Sequence, residues 1–244
     1  MPTETFHIPM ADGSADVFAA FPEHRRPLPG VLMYPDAFGI RPVLRDMAEK
    51  LAAHGYYVLV PNIFYRHGPA PLVALPAHIG DEARPAIVDE LMPLIHQHTA
   101  ERTGSDADAY LRFLAGLPEV KDGPIGVVGY CIGGLLATRT AAAHPSRVAA
   151  VASFHGPVGA DGIDELAKIT GRAHFGHAAS DLTPRALNEL NAALDAARLD
   201  YTSEIYPGTI HGFTMADTDA FDAVGSERHW EQLFALLDSA LTTT

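Results

Sequence analysis

The sequence predicts an α/β protein built on a mostly parallel, open sheet with helices on both faces. Short apolar runs alternate with segments of helical periodicity from about residue 30 onward, which is the pattern of a parallel sheet with helical crossovers. Most of those runs are apolar throughout, as strands covered on both faces must be. At 244 residues, with no internal repeat and no low-complexity stretch beyond the polar tail TTT, the chain suits a single domain spanning residues 1–244.

The elements follow in order. ETFHIPM and ADVFAAFP alternate in hydropathy and read as an antiparallel pair added at one sheet edge. GVLMYPD (30–36) is a short buried strand stopped by proline. In 43–55, Leu44, Met47, Ala48 and Leu51 recur at helical spacing and Gly55 ends the run. YYVLVPN (56–62) is a second buried strand. Residues 63–102 carry prolines at 69, 71, 76, 85 and 93 and read as an irregular excursion near the site, with a helix near 84–98. A helix is expected over 105–118, opened by a Ser or Asp cap. Strands are expected at 124–130, 148–156, 172–181 and 201–208. Helices are expected at 132–145, 183–199 and 219–242, the last with Trp230, Leu233, Phe234 and Leu237 facing inward.

The bulk numbers narrow the function. A net charge of -13 argues against nucleic acid or an anionic membrane surface as partner, since both call for a basic face. The single cysteine excludes an internal disulfide and a thiolate zinc site and fits a reducing compartment. The N-terminus lacks the basic and apolar segments of a signal peptide, and no apolar stretch is long enough to span a membrane. The expected setting is cytoplasmic, as a monomer or homodimer. His96, His98 and Glu101 do not form a metal site, because residues two apart on a helix face different ways.

That single cysteine, Cys131, lies in Gly129-Tyr130-Cys131-Ile132-Gly133, one residue past a predicted strand and at the start of a predicted helix. This is the spacing of a nucleophile elbow with cysteine in the serine position. The turn is tight enough that side chains at 129 and 133 would collide with its neighbours. A helix N-terminus beneath the sulfur favours a thiolate and any oxyanion. A thiol near pKa 8.5 needs a base and a group to orient that base. Elbow architecture orders them nucleophile, acid, histidine. Asp181 and His211 stand at the carboxyl ends of the next suitable strands, where ligands bind in open sheets. Asp181 could instead cap the helix that follows, with Thr183 as its rival. His155, His174 and His177 could line the site.

These residues resemble the dienelactone hydrolase family of α/β-hydrolases. YPDAFGI, AAHGYYVLVPNIFYR, GVVGYCIGG, Asp181 and HGF carry the resemblance across nearly the whole chain. It implies the α/β-hydrolase fold and a Cys131–His211–Asp181 triad. The implied reaction is hydrolysis of a lactone or ester through a thioester, with no cofactor and no metal. It further implies an oxyanion hole from the backbone N–H groups of Ala37 and Ile132. Asp36 stands where the family has a glutamate that helps ionise the nucleophile; it is shorter by one carbon–carbon bond, and it could instead be a strand-end cap. Met215 replaces an arginine that holds the substrate carboxylate, which points to a less charged ester or lactone. Arg84 could supply another such arginine, and Arg66 could also point inward. Phe38, Tyr65 and Phe213 are candidates for the pocket lining or equally for the core. Two rivals stand beside this reading: a non-catalytic small-molecule binding protein on the same scaffold, and a redox-sensing thiol protein.

Overall fold

The computed structural model describes residues 1–23 and 26–242; of the polar tail, Thr243 and Thr244 lie outside them. Among the described residues, one sheet contains β1 (Thr3–Met10), β2 (Gly13–Ala20), β3 (Gly30–Tyr34), β4 (Tyr57–Pro61), β5 (Ile125–Tyr130), β6 (Val148–Phe154), β7 (Arg172–Ala178) and β8 (Tyr201–Tyr206). Their spatial order is β1-β2-β4-β3-β5-β6-β7-β8. The first two strands form the expected edge hairpin and join β4 antiparallel. From β4 onward every pairing is parallel, so the carboxyl ends of β3 through β8 share one edge.

The helices are α1 (Pro42–Ala53), α2 (Arg84–Ile95), α3 (Ala100–Ala115), α4 (Ile132–Ala143), α5 (Ile163–Leu166), α6 (Pro184–Ala196) and α7 (Ala223–Leu241). α1 and α7 cover one face of the sheet; α3, α4 and α6 cover the other. Strand register makes both faces apolar. Leu59, Leu32, Val127, Val151 and Ala173 are aligned across β4, β3, β5, β6 and β7, and all are buried toward α3 and α4. Val31, Val58, Val128 and Ala152, one residue along, point to α1 and α7. This strand alternation is the reason the runs read as apolar throughout.

Two helix starts differ from the expected ones by several residues, and one short helix is additional. α3 begins at Ala100, five residues early, because the Thr99 side chain accepts the Arg102 N–H at 3.2 Å and caps the helix there. α7 begins at Ala223, because the Asp222 carboxylate accepts the Gly225 N–H at 2.6 Å. The short α5 was not expected; four residues carry no readable period. In the excursion, Ile79 donates its N–H to the Asp217 carbonyl at 2.8 Å and accepts from Asp219 at 3.4 Å, tying it to the loop after β8.

Candidate active site

Cys131 sits between β5 and α4 with φ 54° and ψ -122°, a strained conformation for a residue with a Cβ. The turn is held by Cys131 N–H donating to the Phe154 carbonyl at 3.0 Å and by Gly134 N–H donating to the Cys131 carbonyl at 3.0 Å. Its glycines are obligatory on steric grounds. A Cβ at Gly129 would lie 1.8 Å from the Gly133 carbonyl oxygen, and one at Gly133 would lie 2.3 Å from the Pro35 carbonyl oxygen. The elbow therefore packs against the strand ending that also carries Asp36 and Ala37.

The structure brings Asp181 and His211 to the same place. His211 Nδ1 lies 2.6 Å from Asp181 Oδ2, and the imidazole borders the same cleft as Cys131. With Nδ1 engaged by the carboxylate, Nε2 is the nitrogen left for the sulfur. Burial pulls the imidazole pKa down, but the hydrogen bond to Asp181 and the influence of the neighbouring Cys131 outweigh it and raise it to about 10. Burial likewise works against the Asp181 carboxylate, yet the His211 hydrogen bond and charge hold its pKa below the usual value. The rival cap role for Asp181 is filled by Thr183, whose hydroxyl accepts the Ala186 N–H at 3.2 Å.

Sequence reasoning missed Ser180. Its hydroxyl donates to Asp181 Oδ1 at 2.9 Å and accepts the His211 backbone N–H at 2.9 Å, so one side chain fixes the base loop to the acid. It missed Arg41 as well. The guanidinium, 5% exposed, donates from Nη1 and Nη2 to the two oxygens of Asp36 at 2.6 and 3.0 Å. It also donates from Nε and Nη2 to Asp217 at 2.6 and 3.1 Å. Arg41 thus clamps the loop after β3 to the loop after β8. Its one local signal was its position, five residues beyond Asp36 and just before the proline opening α1.

Asp36 was expected beside the thiol. Its carboxylate instead engages Arg41 and accepts the Phe38 N–H at 3.1 Å, and among the described residues no hydrogen bond joins it to Cys131. Ala37 and Ile132 flank the sulfur from the two loops, and neither backbone N–H donates to another protein group among the described residues.

The cleft around Cys131 has two lobes. One, about 350 Å³, is lined by Asp36, Ala37, Phe38, Arg84, Met215 and Thr218 among others. The second, about 370 Å³, is lined by Ile132, Val158, His177, Asp181, Leu182 and Leu190 among others. Cys131, His155 and His211 border both. A larger open groove of about 620 Å³ lies beside α1 and α7 and is not lined by Cys131, Asp181 or His211.

Phe38, Arg84 and Met215 thus stand in the first lobe. Arg84 donates to the His211 carbonyl at 2.8 Å. Tyr65 and Phe213 line neither lobe. Tyr65 OH donates to Asp12 and Asp106 at 2.7 and 2.9 Å, and the ring is drawn away from the cleft by those carboxylates. Arg66 pairs with the same two aspartates instead of pointing inward. Phe213, fully buried, packs on Tyr206 and His155 in the core. Of the other histidines, His174 is bonded to Thr202 and Tyr206 beneath the sheet edge. His155 is 1% exposed, has φ 41°, and lies 2.8 Å by Nε2 from Thr214 Oγ1. Its ring stands edge-on to His211 at 5.1 Å. Burial and the neighbouring His211 hold it neutral, well below the ordinary histidine pKa. Among the described residues no group of three or more His, Cys, Asp or Glu side chains is placed to hold a metal ion.

A model of the dienelactone hydrolase family matches residues 15–241. A Synechocystis protein provisionally named carboxymethylenebutenolidase is 26% identical over 223 residues, spanning 87% of this chain and 87% of its own. An Azospirillum brasilense protein with the same provisional name is 28% identical over 225 residues, spanning 88% and 89%. Among solved structures, a Klebsiella pneumoniae protein provisionally assigned as a dienelactone hydrolase aligns with TM-score 0.82 at 19% identity, over 97% of this chain and 98% of its own. A dienelactone hydrolase-like promiscuous phosphotriesterase from metagenomic libraries aligns with TM-score 0.78 at 19% identity, over 98% of each chain. These alignments show the α/β-hydrolase fold.

Proposed function

The chain belongs to the dienelactone hydrolase family, and from that membership we propose that it hydrolyses a carboxylic ester or lactone through a thioester on Cys131. The observation that carries this reading is the hydrogen-bonded pair Asp181–His211 bordering the same cleft as Cys131, which sits at a strained, glycine-flanked elbow.

His211, oriented by Asp181, takes the thiol proton, and the thiolate adds to the ester carbonyl carbon. The oxyanion lies against the N–H groups of Ala37 and Ile132, which donate to no other protein group among the described residues. The carbonyl re-forms, the bond to the alkoxy oxygen breaks, and His211 returns its proton to that oxygen; in a lactone the alcohol stays tethered. Water, deprotonated by His211, then adds to the thioester. The carbon–sulfur bond breaks, leaving the carboxylic acid and the thiol. Met215 in the first lobe makes that lobe less suited to a second carboxylate contact, so a substrate with little charge fits best.

Cys131→Ala should lower kcat/KM for p-nitrophenyl acetate by roughly a thousandfold or more. The circular dichroism and thermal midpoint should stay native. Undiminished turnover by that variant would overturn the mechanism.

A further inference from the structure

We infer that the substrate is an open-chain ester with an apolar arm of several carbons, seated in the lobe walled by Ile132, Val158, Leu182 and Leu190. This rests on the hydrolase reading above and names the substrate class of that site.

The argument starts at the junction of the lobes. Ala37 lines the first lobe alone and Ile132 the second alone, while Cys131 and His211 line both. A carbonyl whose carbon meets the sulfur and whose oxygen meets those two N–H groups therefore straddles the junction. Its two remaining substituents diverge, one toward each lobe. A small lactone, whose two arms close into one ring, leaves one lobe unfilled.

The lobes differ in chemistry. The first carries the charged groups of Asp36 and Arg84. In the second the charged or titratable side chains are those of the triad, with His155 and His177, and both of these are held neutral by burial. The rest of its wall is apolar, and Val158, Leu182 and Leu190 are only half-buried there. Met92, on α2 above the junction, is 36% exposed and borders both lobes. Side chains of this kind bordering a cleft gain from an occupant that removes them from water. A neutral alkyl or aryl arm does that. An ionised arm would lose hydration there, and the cation bordering this lobe, His211, is already paired with Asp181.

Two series test the assignment. Cys131 is the only thiol, so N-alkyl iodoacetamides report on its surroundings without any hydrolysis. The sulfur forms a carbon–sulfur bond, iodide leaves, and the thiol proton passes to His211. The second-order rate should rise about threefold per methylene from methyl to butyl. Leu190→Trp, which fills the lobe, should flatten the series, read as the ratio of the butyl to the methyl rate within that variant. Leu182→Trp should do the same and serves where the first variant folds poorly. Val88→Trp, in the first lobe, should leave the slope intact. In ester hydrolysis, lengthening one arm should raise kcat/KM in a manner lost in Leu190→Trp, while the response to the other arm persists.

A flat alkylation series with ester turnover intact would overturn the lobe assignment and leave the hydrolase reading standing. A steep series with no turnover of any ester would overturn the hydrolase reading and, with it, the ester as occupant. A Leu190→Trp variant with an unchanged slope, or a small butenolide hydrolysed with higher kcat/KM than every open-chain ester, would also overturn the inference.

Discussion

Asp181 makes the contact that decides how long His211 keeps its proton. The 2.6 Å hydrogen bond to Nδ1, with the influence of the neighbouring Cys131, outweighs the opposing effect of burial and raises the imidazole pKa to about 10. Removing a cause that raises the pKa must lower it. Asp181→Asn should therefore move the alkaline limb of the kcat/KM profile to lower pH, beside a fall in its plateau. Stopped-flow alkylation of Cys131 across the same range provides a second readout. An alkaline limb that stays in place would mean that Asp181 does not set the base. At this scale much was legible: Cys131, Asp181 and His211 follow from their places after predicted strands. Ser180 and Arg41 were not, because their partners are set by contacts that no local pattern encodes.

At the scale of elements, the site is held by loops that leave the same sheet edge. The loop after β3 brings Asp36 and Ala37; the loop after β8 brings His211 and Asp217. Arg41 joins them through a buried fork, 176 residues from one of its partners. Removing one member of such a group leaves buried charge uncompensated and typically costs about 3–5 kcal/mol. Arg41→Met should lose about that much in urea unfolding. Its single-turnover acylation rate should fall more than its KM rises, since the two loops lose their common anchor. Arg41→Lys, which keeps the charge but not the fork, should fall between. An unchanged acylation rate in Arg41→Met would confine Arg41 to stability. Helix and strand identities were largely readable here because burial imposes a period. Helix starts were less so: α3 begins where Thr99 happens to cap it, and Ser105 was an equally good cap by type.

The whole molecule adds a pH dependence that no single element has. His155, His174, His177 and His229 are all buried. Burial brings His174 and His177 down to about 4 and His229 to about 3, and lowers His155 well below its ordinary value. In the unfolded chain each titrates near 6.5. Below that pH the unfolded state binds protons that the folded state does not, so this contribution to stability is present above about pH 6.5 and is lost as pH falls toward 4. Each histidine contributes a slope of up to about 1.4 kcal/mol per pH unit. The thermal midpoint should fall steeply below about pH 6, and His229→Gln should lessen the slope. A midpoint unchanged down to pH 5 would contradict this account. The histidines were visible in the sequence; that so many are interior was not, since burial depends on Tyr130, Tyr206 and the Thr and Ser hydroxyls that satisfy them.

By itself the sequence determined the sheet, its edge hairpin and the placing of Cys131, Asp181 and His211 at one sheet edge. Those rest on hydrophobic period, on glycine where no Cβ fits, and on the rule that a parallel sheet gathers its carboxyl ends. Only the tertiary structure decided that Asp36 faces Arg41, that Tyr65 leaves the cleft for Asp12 and Asp106, and that the cleft divides in two. Those outcomes depend on which side chains meet between separate elements and loops, and such pairing is fixed by packing and charge in three dimensions, which the hydrophobic period does not carry.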